Sequence, residues 1–148
     1  MCGREVAVVS GREVALNTVP GTGGNRALTT TGVGRVGEEV AAAFLSERGY
    51  HVLARNKRTP FGEVDLLCSE GSCLVVVEVK ARGSATHGEA LEAIGQAKAK
   101  RLRLATAWWL GQQQEFRPAS VRFDAVLVAL DEHGHPSFVQ HVKDLLGG

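Results

Sequence analysis

An α/β sandwich, with a mixed β-sheet between helices, is the fold class this sequence predicts, and three observations lead to it. Helical periodicity begins at Gly34 and meets a stop at Gly49. Within residues 62–80, two β-branched runs flank Ser69-Glu70-Gly71-Ser72, the mark of an antiparallel hairpin. A second helical stretch from about Gln96 to Leu110 then precedes the long apolar run of residues 120–130. The predicted order is αβββαββ, with a helix on each face of the sheet.

A chain of 148 residues is expected to form one domain large enough to bury a core without staples. It carries 17 basic and 16 acidic residues; without the first 33 residues, 14 of each remain. A neutral domain is no general polyanion binder, so a nucleic-acid partner would have to meet a local basic patch. Residues 1–33 differ in texture. Gly-Arg-Glu-Val-Ala occurs at 3–7 and again at 11–15, and glycine- and threonine-rich segments follow. This composition reads as a disordered N-terminal extension to a domain spanning 34–148. Cys2, Cys68 and Cys73 are odd in number and lack metal-type spacing, so reduced thiols are expected. No apolar run is long enough for a membrane span or a signal-peptide core, which predicts a cytoplasmic protein with no membrane partner.

The first helix places Val36, Val40, Ala43 and Phe44 on one face, while Glu38 shares another flank with Ala41, Ala42 and Leu45. A glutamate early in a helix is favoured by the helix dipole alone, so Glu38 has an ordinary structural explanation. Residues 50–57 read as the first strand, and Thr59-Pro60-Phe61-Gly62 as the turn into the hairpin. Arg55, Lys57 and Arg58 crowd that junction and are candidate phosphate contacts, although exposed arginines near a turn need no ligand.

The hairpin carries the chemistry. Strand parity puts Glu63 and Asp65 on one face and Val64 and Leu66 on the other; Glu78 and Lys80 likewise oppose Val75, Val77 and Val79. With Gly71-Ser72 as a two-residue turn, Asp65 falls opposite Glu78 and Glu63 opposite Lys80; a four-residue loop from Ser69 to Ser72 keeps the shared face with a shift of one pair. Facing carboxylates repel across a ladder, and a bound divalent cation is the usual reason to keep them. Oxygen-only ligands favour Mg²⁺ or Mn²⁺. Lys80 would then hold an attacking water or offset charge on a phosphate. The plainer explanation is a solvated face of ion pairs, since Asp…Glu-x-Lys is a loose pattern by itself.

Arg82 follows in a loop, residues 81–84, that could lie along a nucleic-acid backbone. In the second helix, Ile94, Ala97, Leu102, Ala105, Trp108 and Trp109 form the apolar arc, with Gly95 as N-cap. Lys98 and Arg101 fall inside that arc. Long stems can snorkel from there, but Lys98 also sits in the first turn, where free N–H groups favour anions. Both are candidate nucleic-acid contacts, Gln96 a weaker one, and the two tryptophans read as core. Residues 120–130 read as a central strand in which Asp124 is structural, holding a basic partner such as Arg122 of another layer. Residues 131–135 form a turn whose histidines lack a companion motif for metal, and residues 137–142 close as an edge strand.

Asp65 with Glu78-Val79-Lys80 resembles the core motif of the restriction-endonuclease-like nucleases, a fold shared with Holliday-junction resolvases. The fuller match is to the YraN-like family, an uncharacterised family of predicted nucleases. It is carried by Gly34-Arg35-Val36-Gly37-Glu38, Arg55-Asn56, Gly62-Glu63-Val64-Asp65-Leu66-Leu67, Val77-Glu78-Val79-Lys80-Ala81-Arg82, Lys98 and Arg122-Phe123-Asp124, in order over about residues 34 to 130. Val64 stands where the wider nuclease pattern has a proline. The resemblance implies a restriction-endonuclease-like three-layer sandwich and metal-dependent phosphodiester hydrolysis in DNA, branched or junction DNA included. It implies Asp65, Glu78, the Val79 carbonyl and Glu38 as metal ligands and Lys80 as a catalytic group; a homodimer is compatible with it. A nucleic-acid-binding module that does not cut, or cuts only with a partner, is the alternative, and a protein whose charges merely pair on its surface is a third.

Overall fold

The computed structural model describes residues 30–83 and 95–146. The extension through residue 29 with its repeat, Cys2, Ser84 and Ile94 lie outside the described residues. Helix α1 spans Thr30–Glu47, strand β1 His51–Thr59, β2 Gly62–Glu70, β3 Cys73–Arg82, helix α2 Gln96–Gln112, β4 Ser120–Leu130 and β5 Pro136–Val142. The order is αβββαββ, as the sequence predicts. The differences lie at the ends of elements. α1 starts at Thr30 rather than Gly34, and Ala81 and Arg82 belong to β3 rather than to the loop after it.

The five strands form one sheet in the order β1-β2-β3-β4-β5. Every neighbouring pair is antiparallel except β3 and β4, which run parallel from Cys73–Ser120 to Arg82–Ala129. Parallel neighbours need a long crossover, and α2 lies on it. Each helix covers one face of the sheet. Beneath α1, Val40, Phe44 and Leu45 pack on Leu66, Val75, Val77 and Val126. On the opposite face Leu102, Ala105 and Trp109 of α2 pack on Val64, Leu67, Leu74 and Val76. Helix, sheet and helix make the expected three-layer α/β sandwich. Trp109 is buried and Trp108 packs against the same cluster, so both are core. Ala97 is exposed and Ala99 is buried in its stead, because the face of α2 turned to the sheet is offset from the one the periodicity predicts.

Two terminations set the frame for the site. At Gly49 (φ 89°) the chain turns left-handed, and the N–H groups of Tyr50 and Gly49 donate to the carbonyls of Leu45 (3.1 Å) and Ser46 (3.2 Å). This is a Schellman ending, which glycine accommodates without a Cβ penalty. In the hairpin between β2 and β3, Glu70 pairs with Cys73. Gly71 (φ 57°) supplies the positive φ that a type II′ turn needs at its first central residue. The even register is as expected, and the Glu70–Cys73 pair decides for the two-residue turn over the four-residue loop. Cys68 and Cys73 are free thiols, and burial pushes Cys68 up to about 12, leaving it unreactive.

Candidate active site

The β2–β3 ladder pairs residues from Glu70–Cys73 to Leu66–Val77. Its register leads on to Asp65 and Glu78, the two carboxylates expected to face each other. Just beyond the ladder, the N–H of Val79 donates to Asp65 Oδ2 at 2.8 Å. A strand residue turns its N–H and C=O toward the same neighbour, so the Val79 carbonyl is turned to the β2 side as well.

Strand parity fails within β2, and it fails at the site. Leu66 lies under α1 with Val75, Val77 and Val79, as expected, but Val64 packs on the other face with Leu67 and Leu102. The β1–β2 register runs through Arg55–Leu66 and resumes at Lys57–Val64, skipping Asn56 and Asp65. Asn56 there adopts φ 47°, a left-handed conformation that asparagine tolerates better than most residues. A kink opposite Asp65 thus resets which side chains point where. The sequence marks it only as the Arg55-Asn56 dipeptide.

Asp65 is an unusual carboxylate. Its pKa is pushed up to about 6, first by burial and then by the neighbouring charges of Glu78, Glu38 and Glu63, with the Val79 N–H opposing the rise. Glu38 on α1 thus reaches the site electrostatically, whereas Glu39 is exposed. Glu78 is held by Lys98, whose Nζ donates to its Oε1. The first turn of α2 therefore delivers the one cation seen paired with the carboxylates of the site among the described residues.

One cavity of about 220 Å³ collects these groups. Its lining is both charged, through Glu63, Asp65, Glu78, Lys98 and Arg101, and apolar, through Phe61, Leu102 and Ala105. The apolar residues carried no signal in the sequence, since Leu102 and Ala105 read as core and Phe61 as turn. Phe61 sits at the tip of the two-residue Pro60-Phe61 turn, closed by the Thr59–Gly62 pair. Thr59 Oγ1 accepts from the Phe61 N–H (3.1 Å) and donates to the Gly62 carbonyl (2.7 Å), which holds the tip.

The other candidates are spread out. Lys80 is half-buried on β3, opposite Leu127, and does not line the cavity. Lys57 pairs with Val64 and so shares the cavity's face of the sheet, and Arg58 pairs with Glu63. Arg55 pairs with Leu66 on the α1 face and acts on Cys68 instead. Arg82 lies at the end of β3 beside Ala129.

The donor set is all oxygen. Among the described residues no three His, Cys, Asp or Glu side chains are gathered closely enough to hold a metal by themselves. Mg²⁺ does not require such a cage, since one or two carboxylates, waters and substrate phosphates commonly suffice. A buried carboxyl raised by its acidic neighbours is a place where a hard cation would relieve repulsion, so the residues present fit one.

A second polar cluster lies inside the domain. Asp124, fully buried, accepts from Arg122 Nε (2.9 Å) and Arg122 NH2 (2.8 Å), pairs with His141 Nε2 (2.8 Å) and accepts from the Asp144 N–H (3.0 Å). Arg122 also donates to the Tyr50 hydroxyl at 2.9 Å. Burial would raise the Asp124 carboxyl, but the hydrogen bonds from His141, Arg122 and Asp144 outweigh it and hold the group below its ordinary range. Asp124 is structural, as expected, although its arginine comes from its own strand rather than from another layer. His141 and Tyr50 had no sequence signal. Asp131 closes the 131–135 turn by accepting from the N–H groups of His133 (2.8 Å) and His135 (2.9 Å).

Among the described residues no helix is long and apolar enough to cross a membrane. Relatives match most of the chain. It is 47% identical over 110 residues to a UPF0102 protein of Kineococcus radiotolerans, covering 74% of this chain and 89% of the relative. A UPF0102 protein of Magnetococcus marinus is 43% identical over 120 residues, covering 80% and 96%. One from Renibacterium salmoninarum is 39% identical over 113 residues, covering 76% and 94%. Residues 37–128, which span both carboxylate strands, Lys98 and the buried Asp124, match the profile of the Uncharacterised protein family UPF0102, and the chain belongs to that family.

Proposed function

We propose that this protein is a nuclease dependent on Mg²⁺ or Mn²⁺ that hydrolyses phosphodiester bonds in DNA, branched or junction DNA included. The observation that carries the reading is the shared cavity. Asp65 and Glu78 from adjacent strands line it together with Lys98 and Arg101, so acidic and basic groups meet in one place. Asp65 and Glu78 would hold the cation, with the Val79 carbonyl and Glu38 completing its surroundings. When bound, such an ion would supply a water of lowered pKa and neutralise charge on the phosphate. Lys80, on the same strand two residues after Glu78, would orient the attacking water. Lys98 and Arg101 would hold the phosphate and offset the charge that develops on it. Lys57 and Arg58 on the neighbouring hairpin would contact the flanking backbone.

The Lys98–Glu78 bond favours a second reading, in which the site rests closed until nucleic acid or a partner draws the lysine away. Calorimetric titration of Mg²⁺ and Mn²⁺ into wild type and Asp65→Asn, with cleavage assays on duplex, single-stranded, flap and four-way-junction DNA, separates these. Metal binding and cleavage lost together in the variant is the expected result. Metal binding without cleavage of any substrate would favour the partner-dependent reading. No Asp65-dependent metal binding, even with DNA present, would overturn the catalytic one.

A further inference from the structure

The lining of the cavity asks for a ligand with two kinds of surface. Lys98 and Arg101 suit a phosphate, and Phe61 offers a ring beside the apolar side chains of Leu102 and Ala105. Leu102 and Ala105 are buried in the α2 core, so that part of the lining is rigid, whereas Phe61 leaves 40% of its surface exposed. An aromatic ring left at the tip of a tight turn exposes apolar area that burial would favour removing. Here the Thr59 hydrogen bonds fix the backbone that carries the ring, so little backbone freedom is lost when something stacks on it.

A nucleotide has this division, a flat π-face joined to an anion, and unpaired bases are recognised by stacking on aromatic side chains. A base within a continuous duplex is already stacked on both faces and offers only its edge. We infer that the cavity accepts one unpaired nucleotide, its base against Phe61 and its phosphate toward Lys98 and Arg101, so that single-stranded segments and the unpaired arms of branched molecules are the preferred ligands. This rests on the proposed nuclease reading and adds the state of the substrate strand. At about 220 Å³ the space is far too small for a helix.

The test uses the full chain in an Asp65→Asn background, so that ligand is not consumed, with and without Phe61→Ala and Phe61→Trp. Fluorescence anisotropy at one fixed salt concentration compares a labelled single-stranded oligonucleotide with its perfect duplex. The expected result is tighter binding of the single strand, weakened by about tenfold or more in Phe61→Ala and retained in Phe61→Trp, with duplex affinity little changed. Equal affinity for both forms, or a Phe61→Ala effect of the same size on both, would overturn the inference and leave the nuclease reading standing. No binding of either form at low salt, by the variant and also by wild type with Ca²⁺ in place of Mg²⁺, would overturn both.

Discussion

Asp65 is the residue on which the site turns, and its protonation gives it a signature in the metal-free protein. The ordinary value is 3.8 and the folded value about 6, so between them the folded chain holds a proton that the unfolded chain has lost. Stability from this group is therefore full below the unfolded value and is lost as pH rises through the folded one. The loss is on the order of 2–3 kcal/mol at most. In chelator, denaturant midpoints should fall between about pH 4 and pH 7, and Asp65→Asn should flatten that slope and stabilise the protein near neutrality. A wild-type midpoint that rises over the same interval would refute the assignment. Lys98 makes a second case. Its side chain is 36% exposed and that of Glu78 14%, so the pair adds little stability, roughly 1 kcal/mol or less. A lysine on the carboxylate competes with any cation that needs the same oxygens. Lys98→Gln should therefore tighten Mn²⁺ binding several-fold in calorimetry, and unchanged affinity would show that lysine and cation do not compete.

At the scale of elements, α1 rides very close to β3. A Cβ built on Gly37 would stand 2.3 Å from the Cβ of Ala81, whereas one on Gly34 would meet nothing within 4 Å. Gly37 is thus required by the approach of helix to strand, and the next residue in the helix is Glu38. Gly37→Ala should cost about 1–3 kcal/mol in denaturant unfolding, partly recovered by adding Ala81→Gly. It should also weaken cation binding by pushing Glu38 away. Gly34→Ala, in the same helix but in open space, should be neutral or stabilising by up to about 1 kcal/mol. Equal effects from the two substitutions would show that helix propensity rather than close packing governs α1.

For the molecule as a whole, Asp124 is the internal tie. Through Arg122, Tyr50, His141 and Asp144 it links β4 to the start of β1, to β5 and to the segment after it. Asp124→Asn would leave the half-buried Arg122 and the buried His141 without their carboxylate, and a loss of about 3 kcal/mol is expected in equilibrium unfolding. The pH sign is opposite to that of Asp65. A depressed folded pKa gives stability that is present above the unfolded value and lost as pH falls through the folded one. Acid unfolding of the wild type should accordingly begin below the ordinary carboxylate range and move to higher pH in the variant. Together the two aspartates place the greatest stability of the metal-free protein near the bottom of the interval in which Asp65 titrates.

What the sequence determined by itself is the part set by local periodicity and turn chemistry. Seven elements in order, a hairpin turn of even length about Gly71 and the even register that brings Asp65 toward Glu78 all follow from patterns local in the chain. Glu38 beside Asp65 was legible only through the spacing of the family motif. Tertiary structure decided the rest, because those features depend on partners far apart in the chain. Asn56 turns left-handed opposite Asp65 and sends Val64 to the α2 face, a reversal that alternation within one strand cannot register. The α2 crossover carries Lys98 onto Glu78, and the buried charge of Asp124 finds Tyr50 and His141 on other elements. Phe61 read as turn filler until the hairpin tip and α2 were brought together around one cavity. Burial and proximity are properties of the packed sandwich, and they set both the pKa of Asp65 and the shape of the space beside it.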